Sequence, residues 1–306
     1  MMGNTADRLL SDAVTKATCQ AIREAEIRLP GDVYRAISQA AREERNEIAR
    51  GELANILTNI DRAKDLQVPI CQDTGVFVIY VTIPPGIPYT RSLEQAIGEG
   101  VRQATGIVPL RPNVVSPLHR ENSGDNTGDG MPAIHVRPGP DFTITVLPKG
   151  AGAENMSRIA MLLPSQHDQI ARFVVETMLL AGGRPCPPVI LGVGIGSTFD
   201  GVAALAKGAL LLPVDRMDPF EQELCDAVNS LGIGPMGLGG DTTALAVKVK
   251  QAGCHTASLP VAVNVQCWAS RRATVMVDPV TSWHDEEVSG VNMHGKKKDH
   301  SAGADP

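Results

Sequence analysis

The chain has 306 residues, of which 43% are hydrophobic and 20% charged, and its formal net charge is -6. These proportions are typical of globular domains and exclude wholesale disorder. The mild acidity and the 3% of aromatic residues argue against a nucleic-acid-binding surface. Six cysteines are too few for a disulfide scaffold in so long a chain.

The sequence also argues against a secretory signal and a membrane-spanning segment. The first ten residues include Asp7 and Arg8 and lack the apolar core of a secretory signal. The apolar run around Val189 to Ile195 is broken by glycines, and no run approaches the length of a membrane span. We therefore expect a cytoplasmic protein with reduced cysteines, no membrane association and no nucleic-acid partner.

The first 66 residues predict helices. Leu10, Val14 and Ala17 recur at helical spacing, and the Pro-Gly-Asp sequence at 30–32 is expected to end one helix and begin the next. Further helices are predicted over residues 33–49 and 53–66. The apolar, β-branched residues 76–83 then predict a buried strand, which Pro-Pro-Gly closes, and residues 91–105 predict another helix.

The remaining chain alternates between loops, strands and helices. Residues 111–131 are polar and irregular and predict a long loop, a kind of segment that is often functional. Strands are predicted over 133–136, 142–147, 188–191, 259–265 and 274–277, and helices over 169–180, from 200, and over 220–231. The pattern indicates an α/β (or α+β) fold, with an N-terminal helical segment followed by a mixed sheet and flanking helices. We expect one domain over 1–288 and a flexible polar tail over 289–306.

Two glycine-rich segments stand out. Gly192-Val-Gly-Ile-Gly lies between a predicted strand and a predicted helix, but its spacing matches neither the dinucleotide-binding nor the P-loop pattern. A tight turn, or backbone N–H groups that approach another anionic ligand, is therefore the favoured interpretation. The segment 232–240 holds five glycines in nine residues. We expect its backbone to pack closely against a neighbour, and a simple tight loop at a domain edge is the alternative.

Three of the six cysteines share an unusual setting. Cys71, Cys186 and Cys267 each lie at a predicted junction of strand and loop, beside Pro, Gly, Asp, Asn or Gln. For a single cysteine the ordinary interpretation is a small buried hydrophobic residue. No C-x-x-C pair is present to support a zinc ribbon or a thioredoxin site. A three-thiolate metal site assembled by the fold remains an open alternative at this point.

Several motifs taken together, in their order along the chain, are highly specific. Over residues 8–280 the chain resembles the α subunit of the class I, iron–sulfur-dependent fumarate hydratases and the related L-tartrate dehydratases. The resemblance rests on Cys71-Gln-Asp-Thr-Gly75, Asn126-Thr, Pro148-Lys-Gly150 with Glu154-Asn155, Cys186-Pro-Pro-Val with the glycines after it, Leu231-Gly-Ile-Gly-Pro, and the stretch from His255 to Cys267.

The resemblance implies a [4Fe–4S] cluster held by Cys71, Cys186 and Cys267, with one iron left open as a Lewis acid. It implies that Asp73 and His255 have catalytic roles. It also implies substrate-binding roles around the dicarboxylate for Gln72, Arg111, Lys149 and Gly150. Without the family, Arg111 would be interpreted as a surface arginine and His255 as a core histidine.

The resemblance also implies an assembly and an activity. Domain 1–288 would be the α-type catalytic domain of a hydro-lyase, and a separate β subunit would complete the site in an α2β2 complex. An exposed apolar patch beside the cysteines would receive that subunit. The expected reaction is the reversible hydration of fumarate to (S)-malate. The near alternative is dehydration of L-tartrate to oxaloacetate, and the remote one is a non-catalytic subunit whose glycine loops bind an anion.

Two departures bear on the substrate. The family turn Lys-Gly-Gly-Gly-Ser-Glu-Asn is Lys149-Gly-Ala-Gly-Ala-Glu-Asn155 here, so one glycine and a hydroxyl are missing. Trp268, directly after Cys267, is more similar to the tartrate-type relatives, whereas the 149–155 turn and residues 255–260 are more similar to the fumarases.

Overall fold

A computed structural model describes the backbone of residues 2–278 and the side chains from residue 7 onward. The expected tail over 289–306 lies outside the described residues. Three helices open the chain: α1 (Met2–Ile27), α2 (Gly31–Glu43) and α3 (Glu47–Leu66). The predicted boundary near residue 50 was wrong, because the break falls at residues 44–46. There, the Asn46 side chain caps α3 by accepting hydrogen bonds from Ile48 N and Ala49 N.

The first sheet has the strand order β2-β1-β3-β8. Its strands are β1 (Val76–Ile83), β2 (Ala133–Pro138), β3 (Thr143–Lys149) and β8 (Ala273–Met276). Strand β1 is parallel to β2 and antiparallel to β3, which is antiparallel to β8. Helix α4 (Arg91–Ile107) and α1 cover one face of this sheet and form a core with Phe77, Ile79 and Ile144.

The second sheet has the strand order β4-β7-β5-β6. Its strands are β4 (Arg158–Leu162), β5 (Val189–Ser197), β6 (Ala244–Cys254) and β7 (Leu259–Gln266). Strand β5 is parallel to β6 and antiparallel to β7, which is antiparallel to β4. Helices α6 (Ile170–Ala181) and α8 (Pro219–Asn229) cover one face, and α7 (Phe199–Ala209) packs on β7 from the other.

A third core joins the two sheets. Helices α2 and α3 contribute Val33, Ile37 and Leu53, and these residues pack with Leu147 of the first sheet and Ile190 of the second. The expected α/β fold with mixed sheets is confirmed. Sequence reasoning missed β4, the short helix α5 (Ala151–Glu154) and the 3-10 turn Pro164–Gln169.

The expected turn at Gly192–Gly196 was wrong, because these glycines lie inside β5. The reason is steric: a Cβ on Gly192 would lie 2.1 Å from Ala206 O of α7, and a Cβ on Gly194 would lie 2.3 Å from Val202 O. The glycines let α7 approach the sheet closely. Among the described residues, no helix combines the length and the apolar character that crossing a bilayer requires.

Candidate active site

Strand pairing brings two of the singled-out cysteines to one end of the second sheet. Cys186 lies just before β5 and Cys267 directly after β7. These two strands are antiparallel, with Ile190 opposite Gln266, so the start of one strand meets the end of the other. Trp268 N donates a hydrogen bond to Cys186 O at 3.4 Å and ties the two loops together.

Lys149 connects the first sheet to the same end. It is the last residue of β3 and pairs with Val76, the first residue of β1. Its Nζ donates to Val265 O at 2.5 Å and to Gln266 Oε1 at 2.7 Å, across to the end of β7. The loop that holds Cys71 precedes β1 and therefore lies beside the other two cysteine loops.

The electrostatics of the three thiols agree with this arrangement. Burial raises the pKa of Cys186, and Cys71 and Asp73 raise it further. Burial also raises the pKa of Cys267, with Arg271 and Lys149 acting against it and Cys71 adding to it. Cys71 is thus near both of the other cysteines. Two buried cations, Arg271 and Lys149, therefore lie beside Cys267 and oppose the effect of its burial.

Asp73 holds two backbone turns in place. Its Oδ1 accepts from Gly75 N at 3.1 Å, and its Oδ2 accepts from Ala151 N at 2.8 Å. A Cβ at Gly150 would lie 2.8 Å from Asp73 Oδ2, and one at Gly75, where φ is +74°, would lie 2.5 Å from Lys149 O. Glycine is therefore required at position 75, and a Cβ at position 150 would displace the Asp73 carboxylate. This carboxylate fixes the Lys149-Gly150 turn beside the Cys71 loop.

The Lys149 ammonium is bonded within the chain. Its side chain is 0% exposed, and its ammonium contacts Val265 O, Gln266 Oε1 and, at 3.3 Å, Glu154 Oε2. An ammonium has three N–H donors, so all of them are used. Burial lowers the pKa of Lys149 to about 8, while Glu154 and Cys267 act in the opposite direction. Lys149 thus connects the two sheets, and its role at a substrate stays a prediction.

Arg111 and Gln72 are both exposed near the cysteines. Arg111 N donates to Thr74 Oγ1 at 3.1 Å, and Asn126 Nδ2 donates to Arg111 O at 3.0 Å, so the Arg111 backbone is anchored to the Cys71–Gly75 loop. The guanidinium is left for solvent or a ligand. The Cys71 thiol is 3.6 Å from Gln72 Oε1.

His255 lies away from this site within the chain. It is exposed in the turn between β6 and β7, where its Nδ1 accepts from Ala257 N at 3.1 Å. Cys267 follows the other end of β7, which is eight residues long. At about 3.3 Å per residue, the strand separates the two ends by roughly 26 Å. Within one copy of the described chain, β7 therefore separates His255 from Cys267, and the catalytic role of His255 stays a prediction.

Sequence reasoning missed a buried ion pair behind the cysteines. Arg271 is 1% exposed, and its Nη1 donates to Glu26 Oε2 of α1 at 2.6 Å, while its Nη2 donates to Asp73 O at 2.8 Å. Burial raises the pKa of Glu26 to about 7, against the lowering effect of Arg271. The partners are far apart in sequence, so neither residue carried a local signal of burial.

The glycine-rich segment 232–240 packs closely against its neighbours, as expected. Gly237 lies against Gly183, where a Cβ would meet Gly183 Cα at 2.7 Å. The Glu44 carboxylate, which is 2% exposed, accepts hydrogen bonds from Asp241 N and Thr242 N at the end of the segment. This internal carboxylate therefore occupies the two N–H groups that directly follow the segment.

The other three cysteines lie in separate places. Cys19 belongs to α1 and is partly buried against the core of the first sheet. Cys225 of α8 is buried, and burial raises its pKa to about 11. Cys254 is exposed at the far end of β6, opposite Ser197.

Most of the described chain, and not only this site, is similar to known proteins. The profile of the family described as fumarate hydratase (Fumerase) matches residues 15–276. The chain belongs to the fumarate hydratase family. This is a family of hydro-lyases, enzymes that add or remove water, and its members generally depend on an iron–sulfur cluster.

Relatives within the fumarate hydratase family are similar over most of their length. The "Putative L(+)-tartrate dehydratase subunit alpha" of Methanocaldococcus jannaschii is 46% identical over 273 residues, which cover 85% of this chain and 96% of that protein. The L(+)-tartrate dehydratase subunit alpha of Escherichia coli O157:H7 is 33% identical over 260 residues, 82% of this chain and 86% of that protein. The protein of the same name from Shigella sonnei is 32% identical over the same shares.

The residues present fit an iron–sulfur cluster. Three cysteines are the ligand type that such clusters take, and buried cations beside them offset the charge of thiolates and sulfide. Ser270 Oγ and Arg271 Nε are buried near Cys267 without a partner among the described residues, and such donors suit cluster sulfur. Within residues 2–278, no three His, Cys, Asp or Glu side chains are close enough for a single metal ion. A cluster does not need that, because its thiolates bind separate iron atoms.

Proposed function

We propose that this chain is the α subunit of an iron–sulfur hydro-lyase that interconverts fumarate and (S)-malate. The observation that carries the proposal is the meeting of the Cys71, Cys186 and Cys267 loops at one edge of the two sheets, between Lys149 and Arg271. We assign a [4Fe–4S] cluster to these three cysteines. When bound, a cluster with one iron free of cysteine supplies a Lewis acid for the loss of hydroxide from carbon.

The chain's own residues would bind and orient the substrate. Arg111, anchored through its backbone and exposed at its side chain, suits two-point capture of a carboxylate. Gln72, next to Cys71, offers an amide to the same ligand. We assign Asp73 a positioning role, because its two oxygens hold Gly75 N and Ala151 N. Gly150 then brings backbone close to the ligand, while Lys149 supports the turn from behind.

The remaining groups of the site would come from a separate β subunit in an α2β2 complex. The relatives are named as α subunits, which implies a partner chain for them. An apolar patch beside Cys186 supports such a partner here: Met236 and Leu238 are 38% and 52% exposed. Met236 N donates to Pro187 O at 2.8 Å, which holds this patch against the Cys186 loop. A cleft closed from two sides excludes water around a dicarboxylate. We expect the complex in the reducing cytoplasm.

L-Tartrate is the second candidate substrate. The names of the similar proteins favour it, because those relatives are named L(+)-tartrate dehydratase subunits. Trp268, which follows Cys267, also agrees with that branch of the family. Both candidates share one reaction class, in which a hydroxyl and a proton leave adjacent carbons of a four-carbon dicarboxylate.

Anaerobic assays of reconstituted protein test the proposal. The α chain alone and the α chain purified with its β subunit are each given fumarate and L-tartrate. We expect turnover of fumarate by the complex and none by the α chain alone. Turnover of L-tartrate without fumarate would select the second candidate. Robust turnover by the α chain alone would refute the two-subunit proposal, and a complex without iron would refute the cluster.

Arg111→Lys separates binding from chemistry. We expect KM for the dicarboxylate to rise about tenfold with little change in kcat, because charge is kept while the planar two-point contact is lost. The matched control is Arg102→Lys, an exposed arginine of α4 that pairs with Glu99. An unchanged KM for Arg111→Lys would remove this residue from the substrate site.

A further inference from the structure

A second group of polar residues lies between the two sheets, away from the cysteines. A cavity of about 350 Å³ is lined by Arg137 of β2, Lys250 of β6 and Arg272, with Thr145 and Thr274 beside them. This volume falls at the small end of the range for ligand sites. None of its lining residues belongs to the site described above.

Basic residues dominate the cavity. Its lining includes three cations and no carboxylate. Asp32 reaches Arg272 from outside the lining and forms an ion pair with it. Within residues 2–278, Arg137 and Lys250 form no ion pair with a carboxylate. After the Asp32 pair is counted, two positive charges remain.

Several donors in the cavity are also available. Arg137 uses its Nε to donate to Thr82 Oγ1 at 3.1 Å, which fixes the guanidinium while leaving its other nitrogens for a ligand. The hydroxyls of Thr145 and Thr274 lie 2.8 Å apart, and either can donate. The other Arg137 nitrogens and one threonine hydroxyl are thus free to donate to a ligand.

Two of the cations in the cavity lie close enough to repel each other. Burial lowers the pKa of Lys250, and the nearby Arg137 lowers it further. A cation held next to another cation in a partly buried place is destabilised unless an anion sits between them. Two unpaired charges and a fixed guanidinium suit a compact ligand with several oxygens.

We propose that this cavity is a binding site for a small dianion with phosphate or carboxylate oxygens, contacted by Arg137, Lys250 and Arg272. It is separate from the cysteine site: Thr145 precedes Lys149 by four residues of β3, or about 13 Å of strand. A ligand here would join β2 and β8 of the first sheet to β6 of the second, and so stabilise the folded chain against unfolding.

Calorimetric titration of the full chain tests the site, with inorganic phosphate and succinate as the two probes. We expect at least one probe to bind and to raise the melting temperature. Lys250→Gln and Arg137→Gln should each weaken that binding about tenfold, the effect of losing one charge-assisted contact. Because two different residues are changed, a folding defect in one variant leaves the other to decide.

Matched controls locate the binding. Lys64→Gln removes an exposed lysine from α3 and should leave the affinity unchanged. Cys186→Ser should also leave it unchanged, since that residue belongs to the other site. The proposal is overturned if neither probe binds the full chain. It is equally overturned if Lys250→Gln and Arg137→Gln bind as the parent does, or if Cys186→Ser abolishes the binding.

Discussion

The two ends of strand β7 lie in different surroundings, one buried and the other exposed. At the Cys267 end, Lys149 of the other sheet contacts Val265 O and Gln266 Oε1, and Arg271 lies buried behind. At the Leu259 end, the turn with His255 is exposed, and the hydrogen bonds recorded there are local ones, from Ala257 N and Ser258 N. Burial between the two sheets, more than residue type, determines at which end of β7 the pKa of a side chain is shifted.

The largest effect is expected from a substitution of a cysteine at the buried end of β7. Cys186→Ser should abolish iron binding and hydro-lyase activity with little loss of folded protein, because a hydroxyl is a poor substitute for thiolate on iron. Iron content, visible absorbance and melting temperature are measured on anaerobically reconstituted protein. The matched control is Cys254→Ser at the exposed end, which should keep both iron and activity. Full iron content in Cys186→Ser would exclude this cysteine as a ligand.

The second effect concerns the ion pair behind the cysteines. Arg271→Met should destabilise the chain by about 3–5 kcal/mol, because it leaves Glu26 buried without its partner. The double variant Glu26→Met/Arg271→Met removes both charges and should regain part of that loss. Chemical denaturation of the three proteins measures the difference. A single variant as stable as the parent would show that this pair contributes nothing to folding.

A smaller effect compares two glycines of the second sheet. Gly194→Ala should cost about 1–3 kcal/mol, because its new methyl group would lie 2.3 Å from Val202 O of α7. Gly253→Ala, near the exposed turn, meets nothing within 4 Å and should be close to neutral. Equal melting temperatures for the two variants would contradict the close approach of α7 to β5.

The smallest effect belongs to the exposed turn itself. His255→Ala should change the stability of the α chain by less than about 0.5 kcal/mol and leave its iron content unaltered, because the side chain is exposed and its hydrogen bond is local. Thermal unfolding and iron analysis of the reconstituted chain measure this. Loss of iron in this variant would place the histidine nearer to the cluster than the length of β7 allows.

Local sequence patterns predicted those elements well whose bounds depend only on their own residues. The apolar, β-branched residues 76–83 form β1 with the expected bounds, because both faces of that strand are covered. The sequence pattern failed where the bounds of an element depend on residues that are distant in sequence. The α2–α3 break depends partly on Glu44, whose partners lie near residue 241. Strand β5 continues through its glycines because α7 lies on Gly192 and Gly194 and the β6 backbone lies on Gly196. Neither contact is visible from neighbours in sequence.

The candidate site was predictable through motifs and not through geometry. The three cysteine loops followed from the ordered resemblance, because such motifs carry information about residues far apart in the fold. The inward direction of Lys149 was missed, since a lysine in a turn is ordinarily exposed. Its burial depends on three acceptors contributed by the end of β7 and by Glu154. Arg271 was missed for the same reason, because its partner Glu26 lies in the first helix.

The position of Cys267 after the seventh strand has a consequence for how the protein is made. A ribosome that adds roughly 5–20 residues per second releases Cys71 on the order of ten seconds or more before Cys267 exists. During that interval β7 has not been synthesised. Lys149 therefore lacks its acceptors at the end of β7, and nothing holds the three cysteine loops together. The proposed cluster can therefore reach its three ligands only after Cys267 has been synthesised, and the two earlier thiols have to stay reduced until then.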